Sequence, residues 1–342
     1  TNSYCDLAFA IQRVTEEIVL GLVKQAKKIT GSENLCLAGG VALNCVSNGV
    51  IRRSNDFQYI YISPASGDAG GALGAALSTW YLHHNKERTI SKKRDSMKGA
   101  YLGPEFTDAE IETELKACGA TYKKLSDEDL FDTVAMAIAE QKAVGWMQGR
   151  MEFGPRALGG RSIIADPRSP IMQKRLNLKV KYRESFRPFA PSVLREDVSQ
   201  WFEHEIDSPY MLLVANVKEN KRRAMSLDEQ ALFGIDKLNI PRSSVPAITH
   251  VDYSARIQTV HADTNPRYHA VISKFKEKTG CSLVVNTSFN IRGEPIICTP
   301  KDAFKCFMGT DMDVLAVGNF VLYKEHQDKA FKENYKDYYG LD

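Results

Sequence analysis

The sequence predicts an α/β fold in two domains, and three observations predict it. Within the first 82 residues a short apolar strand, a glycine turn and a helix follow one another twice, the order that builds α/β layers. His83 to Gly99 is polar and basic with almost no apolar periodicity, and reads as a linker. Beyond Tyr101, helical and strand patterns resume and run almost to the end. With 342 residues, 43% hydrophobic and 25% charged, the chain can bury a core in each part. The expected division is residues 1–90 and 91–342.

Taken in order, Ile11, Val14, Ile18 and Leu22 recur at helical spacing between Asp6 and Ile29, with Gly31 as the stop. Leu35 to Ala38 reads as a buried strand that runs into Gly39 and Gly40, then a helix from about Val41 to Arg53. Tyr59 to Ser63 repeats the strand, Ala65 to Gly71 the small-residue loop and Ala72 to Leu82 the helix. In the second part helices are expected at Asp108 to Ala117, Asp129 to Gln141 and Thr299 to Met308, the last capped by Thr299 and Pro300. Strands are expected at Ala143 to Met147, Ser282 to Val285 and Val314 to Val317. Lys218 to Asn239, charged and irregular, reads as a surface excursion.

Composition narrows the function classes. Lys plus Arg outnumber Asp plus Glu by only 45 to 42, too even a balance for bulk attraction to nucleic acid, so any anion site is local. Seven cysteines without paired metal spacing suit a reducing compartment, and a cytoplasmic location is expected. No apolar run approaches the roughly 20 residues of a membrane helix, and no basic-then-apolar leader is present. The start at Thr1 reads as a processed or truncated product.

The densest chemical signal is Gly149 to Arg168, which sets Arg150, Arg156 and Arg161 among glycines that let backbone amides approach an anion. A solvated loop with its arginines paired to Glu152 and Asp166 is the plainer alternative. Lys181, Arg183 and Arg187 alternate before Pro188, and period-two spacing on a strand would aim all three at one side. His250, Asp252, Arg256 and Gln258 alternate on another expected strand, and Asn286 to Asn290 (NTSFN) ends an apolar one in small polar residues. Several such clusters in one domain each cost desolvation if buried, and a shared anionic ligand accounts for them together. In the first part Gly39, Gly40 and Asn44 form a glycine turn before a helix, a place for phosphate. Asp68 stands in a small-residue loop as a helix cap or a metal ligand.

Five strings, LAGGVALN (37–44), SGDAGGALGAA (66–76), EFGPRALGGRSI (152–163), KYRESFRPFAPSVL (181–194) and NTSFNIRGEPI (286–296), resemble the signatures of the NodU and CmcH family of O-carbamoyltransferases, in that family's order. The resemblance implies the end of an actin/Hsp70-like ATP-binding (ASKHA) domain followed by a YrdC-like α/β domain with a twisted mixed sheet. It further implies that the YrdC-like domain makes carbamoyl-adenylate from carbamoyl phosphate and ATP. The other domain then passes the carbamoyl group to a hydroxyl acceptor, helped by a divalent metal, iron by resemblance, with Mg accompanying ATP. Carried over by position, Arg156, Lys181, Arg187, Arg256, Ser288 and Asn290 match the carbamoyl phosphate and nucleotide positions, with Arg150, Arg161, Arg183 and His250 as neighbours. Gly39, Gly40 and Asn44 match the nucleotide loop, and Asp68 matches the metal-binding aspartate.

Members of that family carry a longer N-terminal half with a His-x-x-x-His pair, and this sequence has none; His83 and His84 are adjacent. The expectations are therefore weak metal binding through Asp68 alone, slow or absent acyl transfer, and a missing N-terminal half as partner or a homodimer in its place. Two other readings use the same fold: a threonylcarbamoyl-adenylate synthase for tRNA modification, and a non-catalytic RNA-binding module. The string EFGPRALGGRS speaks against the first, and the even charge balance against the second. The acceptor itself is not written in any of these strings.

Overall fold

The computed structural model describes residues 2–89 and 95–331, so the middle of the expected linker, residues 90–94, lies outside the described residues. The chain forms two compact units, one from the residues up to Ser96 with Leu212–Val214, the other from the rest.

The first unit opens with α1 (Asn2–Thr30). Strand β1 (Asn34–Leu37) pairs in parallel with β2 (Tyr59–Ile62), from Asn34 opposite Tyr59 to Leu37 opposite Ile62. A parallel pair needs a crossover, and α2 (Cys45–Ser54) supplies it. This helix begins later than expected because Gly39, at φ 95°, leads into a 3-10 turn over Gly40–Leu43. Asn44 then caps α2, its side chain accepting from the Ser47 amide at 3.1 Å. A third helix, α3, covers Ala69–Ser78.

Val23, Leu35, Ile51 and Phe57 form the small core, with Val19, Leu37 and Ile60 packed against it. The expected stripe on α1 is not the buried one. Ile11, Val14, Ile18 and Leu22 are 54–65% exposed, because Val19 and Val23, one residue further round the helix, face the core instead.

A nine-stranded mixed sheet, all of it in the second unit except Leu213 and Val214, runs in the order β3 (Lys123–Lys124), β11 (Phe320–Tyr323), β10 (Val314–Val317), β4 (Val144–Met147), β5 (Arg161–Ala165), β9 (Leu283–Ser288), β6 (Ala190–Leu194), β8 (Ser254–Val260), β7 (Leu213–Asn216). The pairs β10–β4 and β6–β8 are parallel; β4–β5, β5–β9, β6–β9, β10–β11 and β11–β3 are antiparallel. Strands β4 and β5 are buried along their whole length, and β9 over its first four residues.

Helices α4 (Asp108–Ala117), α5 (Asp127–Ala139), α6 (Pro266–Thr279) and α7 (Pro300–Met308) cover the sheet. Of these, α5 and α6 pack on each other, and α7 packs on α4, β4 and β10. Thr299 caps α7 through a reciprocal box with Asp302, and Pro300 occupies the first turn. The segment expected to be irregular, Lys218 to Asn239, contains short helical turns at Leu227–Ala231 and Gly234–Leu238. No helix among the described residues is long and apolar enough to cross a membrane.

Candidate functional site

The register places one face of the central strands under a single loop. Ser162 lies opposite Ser288, Asn286 opposite Ala190, and Ser192 opposite Gln258, so these residues and Arg256, two before Gln258, share a face. Buried polar groups on that face need partners, and the loop between β4 and β5 provides them. Trp146 Nε1 donates to Gly159 O at 2.9 Å, Gln258 Nε2 to Leu158 O at 2.7 Å, and Asn286 Nδ2 to Ala157 O at 3.1 Å. Glu152, nearly buried, closes the loop from within by accepting from the amides of Leu158 (2.6 Å), Gly160 (2.7 Å) and Arg161 (3.3 Å). The glycine-rich signature at 152–163 is thus largely a device for laying this loop on the sheet.

The cations gather where β9 ends and β6 and β8 begin. The segment preceding β6 is not the extended stretch expected. Leu176–Val180 is helical, and Tyr182 sits at φ 48°, so Lys181, Arg183 and Arg187 do not alternate on one side of a strand. The reversal at Tyr182 instead turns Lys181 inward. Its ammonium, 3% exposed, donates to Ser288 O (2.8 Å), Ser288 Oγ (3.2 Å), Asn290 O (2.7 Å) and Asn290 Oδ1 (2.6 Å). Burial, then the neighbouring Arg183 charge, lowers the Lys181 pKa to about 7.

Arg183 donates to Asn177 Oδ1 at 2.7 Å and lies over the Phe189 ring. Burial, then Arg187 and Arg256, lowers its pKa to about 10. Arg187 meets Glu184 at 3.0 Å, and Arg292 meets the same carboxylate at 3.1 Å. Arg256 Nε is buried with no acceptor among the described residues. Lys181, Arg183, Arg187 and Arg256 therefore crowd like charges together, and among the described residues only Arg187 of the four has a carboxylate partner. Such an arrangement favours a small multivalent anion.

His250 and Asp252 are not on the strand expected for them; they form the turn before β8, where Asp252 accepts from the Ser254 amide at 3.0 Å. Burial, with Arg256 and Arg242 adding to it against the pull of Asp252, holds the His250 pKa below the ordinary imidazole range and so favours the neutral ring. Two other arginines stand apart from the cluster. Arg161 is fully buried, and its guanidinium serves the carbonyls of Gln148 (3.3 Å), Gly149 (3.1 Å), Gly160 (3.0 Å), Pro104 (3.2 Å) and Cys298 (3.4 Å). Its donors go to backbone, which makes it a brace. Arg150 is exposed beside Glu105 at 3.5 Å. Arg156 is half-buried in the β4–β5 loop, next to the Ala157 carbonyl held by Asn286. Asp166, weighed as a partner for the loop arginines, pairs with Arg168 at 2.6 Å.

In the first unit Gly39 and Gly40 are exposed, and the Asn44 side chain is engaged as the α2 cap. Asp68 precedes α3 without a side-chain capping bond. No three His, Cys, Asp or Glu stand together as a metal group among the described residues, so these residues alone do not supply the three ligands that tight binding wants. The sequence itself singles out Gln258 among the alternating polar residues of its strand, whereas Asn286 stands there only as the start of a string and Ser192 and Arg292 are not singled out. The signal for Asn286, Gln258 and Ser192 was there: polar residues at period two inside strands that are otherwise apolar.

Fold and site define an α/β chain with a concentrated cationic centre at the ends of its central strands. Comparison with known proteins gives the family: the chain belongs to the carbamoyltransferases, residues 135–324 matching the carbamoyltransferase C-terminus and residues 1–77 the carbamoyltransferase N-terminus. It is 57% identical over 98% of its length to an uncharacterised protein, sll1178, of Synechocystis, covering 56% of that protein. It is 40% identical over 95% of its length to nodulation protein NolNO of Sinorhizobium fredii, covering 45% of it. A 3'-hydroxymethylcephem-O-carbamoyltransferase of Amycolatopsis lactamdurans is 31% identical over 87% of the chain, covering 50% of that enzyme. The chain thus spans about half the length of these relatives. Among solved structures, full-length HypF aligns with 58% of this chain and 22% of its own at a TM-score of 0.35 and 17% identity, too slight a likeness to fix the fold.

Proposed function

We propose that this chain carries the carbamoyl-activating part of an O-carbamoyltransferase, forming carbamoyl-adenylate from carbamoyl phosphate and ATP in a YrdC-like second unit. The first unit, on this reading the end of an ASKHA-type domain, takes part in passing the carbamoyl group to an acceptor hydroxyl. One observation carries the reading: Lys181, Arg183, Arg187 and Arg256 cluster beside Ser288 and Asn290, with one carboxylate pairing among the four within the described residues. The printed name of the cephem O-carbamoyltransferase relative supports carbamoyl transfer to a hydroxyl as the overall chemistry.

In this scheme Arg187 and Arg256 hold the phosphate of carbamoyl phosphate and neutralise the charge that grows on it as water cleaves the carbamoyl–phosphate bond; the carbamate so formed attacks the α-phosphorus of ATP and displaces pyrophosphate. Arg183 adds field from its seat on Phe189. Lys181, its donors committed to Ser288 and Asn290, acts through its charge and by fixing those two residues. Arg156 approaches from the loop above. A metal taking part in the transfer step would be held by Asp68 together with further ligands, and would polarise the carbamoyl carbonyl.

The test is release of phosphate and pyrophosphate from carbamoyl phosphate plus ATP. Arg187→Ala and Arg256→Ala are expected to reduce it by roughly a hundredfold or more. Full activity in both variants would place the site elsewhere, and turnover that requires threonine and bicarbonate would move the chain to tRNA-modification chemistry.

A further inference from the structure

Asn286 sits in the middle of β9 at 0% exposure, where its strand neighbours Val284 and Val285 show that an apolar side chain would be the ordinary choice. Burying an amide is unfavourable unless its bonds are made. Here the Nδ2 group alone reaches Ala157 O (3.1 Å), Ser192 Oγ (2.9 Å) and Gln258 Oε1 (3.0 Å), while Oδ1 has no partner among the described residues. Ser192 Oγ in turn donates to Gln258 Oε1 at 2.6 Å, and Gln258 Nε2 to Leu158 O at 2.7 Å.

Each end of this net is one or two residues from a group assigned above to the anion. Ala157 follows Arg156, Gln258 lies two residues beyond Arg256 on β8, and Ser288 lies two beyond Asn286 on β9 and accepts from Lys181. Three chain segments far apart in sequence thus meet at one amide. Like charges do not assemble unaided, and groups that must meet a substrate together need their own supports.

Resting on the reading of that cluster as a carbamoyl phosphate site, we propose that Asn286 is a positioning residue: its amide, with Gln258, holds the loop of Arg156 and the strand of Arg256 at fixed spacing around Ser288. It touches no substrate. Its effect falls on how the cations are presented.

The test is calorimetric binding of carbamoyl phosphate to the protein, with near-ultraviolet circular dichroism recorded for every variant. Asn286→Leu, close in volume but without donors, is expected to raise Kd by roughly tenfold to a hundredfold at temperatures where its spectrum matches the wild type. Combined with Arg256→Ala, it should weaken binding by less than the product of the two single effects, because both act on one constellation. Should Asn286→Leu not fold, Asn286→Ser, which frees the space and loses the bridging amide, is measured the same way. A folded variant with wild-type Kd, or strict multiplication of the two effects, overturns the positioning role while leaving the anion site standing. Wild-type protein that fails to bind carbamoyl phosphate, or binds it as well after Arg256→Ala, overturns the site and this inference with it.

Discussion

Lys181 and Asn290 stand 109 residues apart and are joined twice, one ammonium reaching both the carbonyl oxygen at 2.7 Å and the side-chain oxygen at 2.6 Å. Neutral oxygens, rather than a carboxylate, hold this buried charge, which is why burial can draw its pKa down to about 7.

That pairing sets a pH dependence. The folded pKa lies below the ordinary lysine value of 10.5, so between about pH 7 and pH 10.5 the unfolded chain binds more protons than the folded one. Unfolding free energy should therefore gain from Lys181 as pH rises through that window, by up to about 1.4 kcal/mol per pH unit. The unfavourable burial is fully present below pH 7. Urea unfolding at pH 6.5 and 9 should show this gain, and Lys181→Met should lack it.

The arginines divide into a brace and a binder. Arg161→Lys removes a planar fork from five backbone carbonyls and should cost at least about 3 kcal/mol of stability. Arg187→Lys, at a partly exposed ion pair with Glu184, should change stability by no more than about 1 kcal/mol while lowering carbamoyl phosphate affinity. Denaturant titration with calorimetry separates the two, and equal effects from both would refute the division.

Gly159 has φ 103°, and a Cβ there would lie 2.2 Å from Tyr268 Cδ1. Gly159→Ala should destabilise by a few kcal/mol through clash and backbone strain together. Adding Tyr268→Ala should not restore stability, since the positive φ remains and a cavity is added. Thermal melting of the single and double variants checks this.

The exposed stripe on α1 contributes little to the first unit's own core. Ile18→Lys with Leu22→Lys, both at positions more than half exposed, should shift stability by less than about 1 kcal/mol. Sedimentation at rising concentration should show less self-association than in the parent chain.

Much of the architecture was legible in the sequence because its signals are local. Helix α4, the Thr299 and Pro300 start of α7, and strands β4 and β10 fall within a residue or two of the pattern that announces them. The α1 stripe misled because periodicity locates an apolar face without saying what covers it. Around the site the failures were of backbone direction: Leu176–Val180 stays helical and Tyr182 takes a left-handed turn, so side chains read as a period-two row instead part ways, Lys181 inward and Arg187 outward. His250 moved from strand to turn for the same kind of reason. Arg161 looked like a binder because sequence shows a guanidinium's presence and not the carbonyls around it.

One edge of the large sheet is the two-residue strand of Lys123 and Lys124, both exposed and laid against β11. An extended segment of another molecule arriving there finds almost no ladder to continue and two cationic side chains in its way. Fibrillar stacking through that margin is discouraged by the chain's own ending of the sheet, and the apolar strands behind it stay shielded from intermolecular capture.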